Sequence, residues 1–295
     1  MNVEAFLRSM SGSTFDRLRN PGNAGDGLIE RGADVLLNKC GISYRTLVYP
    51  EVGASHVILI LGSGTFCRPW HHNIERVRFY AAKYQKVCIF PATFDFTFLP
   101  VANFLRELAP NVIAFCREEV SYNALKTIVP GPERVYLDHD IAFYNDVTAW
   151  KGAGVGEINC FRTDSESTGK MIPERNFDIS DMGGDDHKTV ILDVLKNFAS
   201  VNTDRLHVGV AGALLGKQVL FFVNNYHKNR SVFDYSLKRF SNVSIGNDEE
   251  YRRILSSQYA GNKYGKYIMM LRHIPVGLAL ARAAKRAILR LRALL

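Results

Sequence analysis

No stretch of eighteen or more uncharged apolar residues occurs in this 295-residue sequence, so a membrane-spanning helix is not expected. Residues 1–13 lack the basic opening and long apolar run of a secretory signal, and we expect a soluble body that is not exported. The five cysteines, Cys40, Cys67, Cys88, Cys116 and Cys160, form no C-x-x-C pair, and most sit in apolar runs where a reduced thiol behaves as a small hydrophobe. That pattern suits the cytosol and argues against disulfides or a zinc site. Acid is missing from the end of the chain. None follows Glu250, whereas ten of the 37 Lys and Arg do, so residues 1–250 hold 27 bases against 29 acids. The net charge of +8 therefore belongs to the tail and says little about what the body binds.

What is present supports a large core: 47% of the residues are apolar, and the length suits two domains. Short β-rich runs over 44–49, 56–61, 86–90, 111–116 and 135–137 alternate with helical periodicity over 73–84, 98–108 and 118–128. This alternation predicts parallel βαβ units covered by helices. After a glycine-rich stretch containing Gly152, Gly154 and Gly156, which reads as a hinge, strands over 157–162, 199–202, 217–223 and 243–245 interleave with helices over 187–198, 203–215 and 231–240. A further helix is expected from residue 248. The expected fold is α/β, with a Rossmann-like domain over 1–150, a second over 151–250 and a basic helical tail over 251–295. Residues 1–20 yield only a short helix and a polar stretch.

In parallel sheets the ligand lies beyond the carboxyl ends of the strands, so the segments after each strand are the candidates. Asn20 to Gly27 is a turn-rich loop opening a helix, a common cradle for an anion. Thr203-Asp204-Arg205-Leu206-His207 brings two helix-start residues, an anion fork and a proton carrier to the start of a second helix. A capped helix with an incidental Arg and a buried His is the plain alternative. Asn224 to Asn229 leaves the following strand and would face the same cleft. His71-His72 and Asp138-His139-Asp140 lack a convincing metal-ligand set and read as structural, and no metal or cofactor is expected.

Asn23-x-Gly25-Asp26, Gly62-x-Gly64-x-Phe66, Arg117-Glu118-x-x-Ser121, Thr203-Asp204-Arg205-Leu206-His207 and Asn225-Tyr226-x-Lys228 follow one another in an order that resembles the polysaccharide pyruvyltransferase family. The resemblance covers roughly residues 20–245. Two departures stand out: His227 replaces the glycine usual before the lysine, and no strand is evident before Asn23. The resemblance implies a fold similar to GT-B glycosyltransferases, with two Rossmann-like halves facing across a cleft. It also implies transfer of pyruvate from phosphoenolpyruvate, the donor substrate, to two hydroxyls of one sugar as a cyclic ketal.

That donor carries a phosphate and a carboxylate, for which Arg117, Arg205 and Lys228 supply positive groups. Protonation of its methylene carbon suits His207. Asp26 is expected to orient a sugar hydroxyl or act as base, or more simply to cap the helix from Gly27. Arg162 and Asp164 are expected to hold the acceptor or to form a surface salt bridge, and Asn23 and Asn225 to complete the binding loops. The acceptor would be a lipid-linked or nucleotide-linked sugar.

The tail from Pro275 places Arg282, Lys285, Arg286, Arg290 and Arg292 opposite Leu280, Ala287, Ile288, Leu291, Leu294 and Leu295. This suits a helix lying on an anionic membrane surface, giving a cytoplasmic protein held peripherally at the inner face of the cell membrane. Docking on the body or a partner, or nucleic-acid contact, are the alternatives for that tail; nucleic acid is not expected as a partner of the body. Two other functions compete: a GT-B glycosyltransferase using a nucleotide sugar, which would need a nucleoside pocket, and a non-catalytic membrane-associated binding protein.

Overall fold

The computed structural model describes residues 1–256 apart from 21, 169, 174, 183–187 and 225. The expected tail helix, Asn225 and the Gly183 to Asp186 segment lie outside the described residues. Among the described residues, two all-parallel sheets form a Rossmann-like α/β architecture. The first contains β1 (Thr14–Leu18), β2 (Ser43–Leu47), β3 (Val57–Ile60), β4 (Lys86–Ala92), β5 (Val112–Cys116) and β6 (Val135–Leu137), in the order β2-β1-β3-β4-β5-β6. The second contains β7 (Glu157–Cys160), β8 (Ser200–Thr203), β9 (Gln218–Phe221) and β10 (Val243–Ile245), in the order β10-β9-β8-β7.

Helices α1 (Val3–Arg8) and α2 (Ala24–Lys39) cover one face of the six-stranded sheet, and α3 (Asn73–Ala81), α4 (Leu99–Arg106) and α5 (Glu119–Ile128) cover the other. Burial on both faces explains why β3 reads as the unbroken apolar run Val57-Ile58-Leu59-Ile60. Around the four-stranded sheet lie α6 (Val190–Leu195), α7 (Leu206–Leu214), α8 (His227–Val232) and α9 (Asp248–Ser256). Tyr251 and Ile254 of α9 close on Phe161 and Phe222. The helix expected over 231–240 instead begins at His227 and runs on into a π-helical turn, Phe233–Leu237.

The strand not evident in the sequence is β1, which pairs with both β2 and β3. Buried polar residues conceal it. Asp16 accepts hydrogen bonds from Ser55 N at 3.1 Å and Tyr84 Oη at 3.0 Å, while Arg17 pairs with Asp34 and lies 4.2 Å from the centre of the Tyr44 ring. Paired in this way, two charged side chains can occupy a strand interior whose sequence looks polar.

Helix α2 begins three residues earlier than Gly27. Asn23 is its N-cap: the side chain accepts from Gly25 N at 2.8 Å, and Asp26 reaches back to Asn23 N at 3.0 Å. This capping box contributes about 1 kcal/mol to the helix. Gly41, at φ +68°, takes the left-handed position after its C-terminus. Along its length α2 contacts α6 and α7, and its Leu28 and Ile29 share one apolar cluster with Val201 of β8 and Val210 of α7.

Candidate functional site

A cavity of about 440 Å³ opens where the carboxyl ends of both sheets converge. Eight residues given a role from the sequence line it: Asn23, Asp26, Arg117, Arg162, Asp164, Arg205, His207 and Lys228. The ninth, Asn225, lies outside the described residues. Each of the eight follows a strand, at β1, β5, β7, β8 or β9, where a parallel sheet directs its loops toward a ligand.

The start of α7 differs from the sequence expectation. Its N-cap is Arg205, and no side chain caps the first turn. Thr203 Oγ1 instead accepts from Arg205 N at 2.9 Å, and Asp204 Oδ1 accepts from Arg162 N at 2.8 Å, tying β8 to the loop after β7. The positive end of the helix is thereby left facing the cavity beside His207. Burial raises the Asp204 carboxyl to about 6, against the opposing pull of Arg162 and Arg205.

His207 reaches across to the six-stranded half. Its Nε2 lies 3.5 Å from Asp140 Oδ2, which also accepts from Arg117 Nη1 at 2.7 Å. Burial alone would raise the Asp140 carboxyl, but His207 and Arg117 outweigh it and hold it well below the usual carboxylate range. Arg117 is 1% exposed and is further fixed by Nε donating to Thr93 Oγ1 at 2.8 Å. On its other side the His207 ring covers Gly25, where a Cβ would come within 2.5 Å of Nδ1. Glycine is required there for the ring to sit as it does. Asp26, beside this ring, is raised by burial, with His207 and the Asn23 backbone opposing.

The remaining cations are already paired. Arg162 donates through Nε and Nη2 to Asp164 at 2.8 and 3.1 Å and through Nη1 to Glu166. Arg205 holds Asp164 at 2.7 Å through Nη1 and Asp178 through Nε at 2.9 Å and Nη2. Lys228 Nζ lies 2.6 Å from Glu166 Oε2. Thus Arg162–Asp164 is a salt bridge, as one expectation had it, but it forms part of the cavity wall rather than the open surface. Burial would raise Glu166, yet Lys228 and Arg162 bring it down to about 2. Lys228 also moves down, because burial and the neighbouring Arg162 and Arg117 exceed the pull of Glu166. Arg205 moves up despite burial, through Asp178 and Asp164.

Several participants escaped the sequence reading. Asp140 belongs to a segment read as structural; His139 does fit that description, with Nδ1 2.8 Å from Ser236 Oγ and Nε2 2.8 Å from Arg239 Nη1. Asp140 itself joins Arg117 to His207, and its place just after β6 was the available signal. Glu166 was missed as a hub: besides its two cations it accepts from Tyr226 Oη at 3.1 Å. Asn20, Ser63 and Trp70 also line the cavity. The departure at His227 has a local role, since its Nε2 lies 3.5 Å from Glu118 Oε1 across the two halves. Glu118 in turn caps α5 through Ser121 N, and Ser121 Oγ accepts from Phe94 N at 2.9 Å, which accounts for the Arg117-Glu118-x-x-Ser121 spacing.

Among the described residues, no group of three or more His, Cys, Asp or Glu is placed to hold a metal ion. No protein-family model and no curated protein matches the chain. Among solved structures, a functionally uncharacterized protein from Klebsiella pneumoniae is similar to it, with 28% identity and a TM-score of 0.70 over 83% of this chain and 96% of that one. The likeness bears on the α/β fold and brings no activity with it.

Proposed function

We propose that the protein transfers pyruvate from phosphoenolpyruvate to two hydroxyls of one sugar of a cell-surface polysaccharide or its precursor, in a GT-B-like cleft between two Rossmann-like halves. The observation that carries this reading is the convergence of Asn23, Asp26, Arg117, Arg162, Arg205, His207 and Lys228 on one cavity. The uncapped start of α7, Arg117, Arg205 and Lys228 receive the donor's carboxylate and phosphate. Asp164 and Glu166 are each shared by two cations. Lys228 can therefore turn to a substrate anion while Arg162 keeps Glu166 paired, whereas Arg205 can do so only by also giving up Asp178, which keeps its hydrogen bonds from Thr163.

His207 gives a proton to the methylene carbon, which becomes the methyl group as C2 gains cationic character. A sugar hydroxyl then forms the first C–O bond at C2 and its proton leaves, returning His207 to its charged form. The second hydroxyl displaces phosphate, which departs with the bonding electrons and takes up the second hydroxyl's proton. Proton delivery of this kind is worth roughly 10² to 10⁴ in rate. Asp26 orients a hydroxyl, and the basic tail holds the protein peripherally at the cytoplasmic face of the membrane.

Purified protein, phosphoenolpyruvate and a panel of lipid-linked and nucleotide-linked sugars test the proposal. The expected result is sugar-dependent phosphate release together with a pyruvyl mass on the sugar. Release undiminished in His207→Ala and Arg205→Ala would overturn the residue roles. Deleting the residues after Arg272 is expected to lower recovery on anionic vesicles while sparing turnover of a soluble acceptor.

A further inference from the structure

We infer that Asn20, Ser63 and Trp70 form the acceptor subsite, taking one neutral hexopyranose with its hydroxyls on Asn20 and Ser63 and its C–H face on Trp70. This rests on the pyruvyl-transfer reading for its biological role, though not for its geometry. The strand order β2-β1-β3 reverses direction between β1 and β3, and the loops after those two strands part there, leaving the crevice in which sheets of this order bind ligands. Asn20 follows β1 and Ser63 follows β3, and both line the cavity.

Both side chains are buried, Asn20 at 5% exposure and Ser63 at 3%, and neither Asn20 Oδ1 nor Ser63 Oγ has a hydrogen-bond partner. Buried polar atoms are nearly always paired, because leaving one unpaired costs about 1 to 3 kcal/mol. Two unpaired atoms on residues that line one cavity mark the place of a ligand that pairs them. Their chemistry selects its class. An amide oxygen only accepts hydrogen bonds, so Asn20 Oδ1 rejects a carboxylate or phosphate oxygen and asks for a donor. A sugar hydroxyl donates to Oδ1 and can both donate to and accept from a serine hydroxyl. The donor's anions therefore belong with Arg117 and the start of α7, and the neutral polyol belongs here.

Trp70 supplies the apolar counterpart. It lines the cavity yet is 45% exposed, and among the described aromatic residues only Tyr49 is comparably open. Its backbone is pinned: Trp70 N donates to Cys67 O and Cys67 N donates to Trp70 O, each at 3.0 Å, and Cys67 Sγ donates to Gly64 O at 2.8 Å. An aromatic side chain on a fixed turn in the same cavity as polar groups suits a pyranose, whose ring presents C–H on one side and hydroxyls around its edge.

The protein has two tryptophans, and the other, Trp150, donates to Asp193 Oδ1 at 2.9 Å, so Trp150→Phe leaves Trp70 as the only indole reporter. In that background, methyl β-galactopyranoside, methyl β-glucopyranoside and methyl β-mannopyranoside are titrated while indole fluorescence is followed. At least one is expected to give a saturable change, weakened about tenfold by Ser63→Ala and by Asn20→Ala. Without sugar, Ser63→Ala is expected to melt at or above the parent temperature, since it removes an unpaired hydroxyl; a residue with a purely structural role would lower it. The shift in melting temperature produced by phosphoenolpyruvate should be the same in both variants and the parent. No saturable change with any of the three glycosides, or equal affinity in the variants, overturns the subsite. If sugars bind as expected but phosphoenolpyruvate produces no shift in the parent, the subsite stands and pyruvyl transfer falls.

Discussion

Replacing Glu166 with glutamine removes the one carboxylate that Arg162 and Lys228 share. Its carboxyl is lowered from 4.5 to about 2, the burial that would raise it being outweighed by Lys228 and Arg162. Each tenfold change in proton affinity is worth about 1.4 kcal/mol, so the folded state gains roughly 3 kcal/mol from the ionised group. Stranding one side of a buried pair costs a comparable roughly 3 to 5 kcal/mol. The sign follows from the direction of the shift. A lowered carboxyl stabilises fully above its unfolded value and loses that contribution as pH falls through the folded one. Glu166→Gln should therefore be less stable than wild type by roughly 3 kcal/mol at pH 7, with the gap shrinking to less than half by about pH 3. Urea unfolding followed by circular dichroism across that range, with unchanged slope against denaturant, measures it. A wild-type midpoint at pH 7, or a deficit equally large at pH 3, would refute the reasoning.

Gly25→Ala should spare the fold, because the colliding His207 ring is a side chain that can turn aside, but should move that ring from Asp140. Under the proposed pyruvyl transfer, turnover is expected to drop about 100-fold with a melting temperature near that of wild type, and unchanged turnover would count against His207. Asp204→Asn keeps an oxygen for Arg162 N and removes a carboxyl raised from 3.8 to about 6 by burial. A raised carboxyl destabilises the fold as pH rises through that range, so the variant should gain up to roughly 3 kcal/mol at pH 8 and only about 0.5 kcal/mol near pH 4, as chemical denaturation at both pH values will read. Tyr226→Phe should leave the Glu166 ion pairs in place and lower stability by about 1 kcal/mol at pH 7 in the same assay; a loss as large as that of Glu166→Gln would show that Tyr226, not the cations, holds the hub.

The β-rich runs and the loops after them were legible because burial on both faces of a parallel sheet forces apolar strands, and strand direction then dictates where ligands gather. Strand β1 was not legible. Asp16 and Arg17 carry charge into its interior, and their partners Tyr84, Ser55 and Asp34 are invisible to local periodicity. The same limit applied at the site. Arg205 and Lys228 could be placed at the cleft from their positions after strands, but that Asp178 and Glu166 already hold them depends on contacts between distant segments. Asn20 and Ser63 stand in segments that the sequence does mark, the turn-rich loop and the glycine-bearing run after β3, but their unpaired buried oxygens are a property of the folded chain.

The apolar cluster joining α2 to β8 and α7 has a mechanical meaning. Pulling the two halves apart as rigid bodies would wet apolar side chains where α2 meets α6 and α7, at roughly 1.5 to 3 kcal/mol for each side chain. Traffic into the cavity must then be governed by the rim, where Trp70 stands on its pinned turn, rather than by a hinge. A protease that nicks the glycine-bearing segment 151–156 would cut the thread but not the seam, and the two pieces should leave a sizing column as one particle.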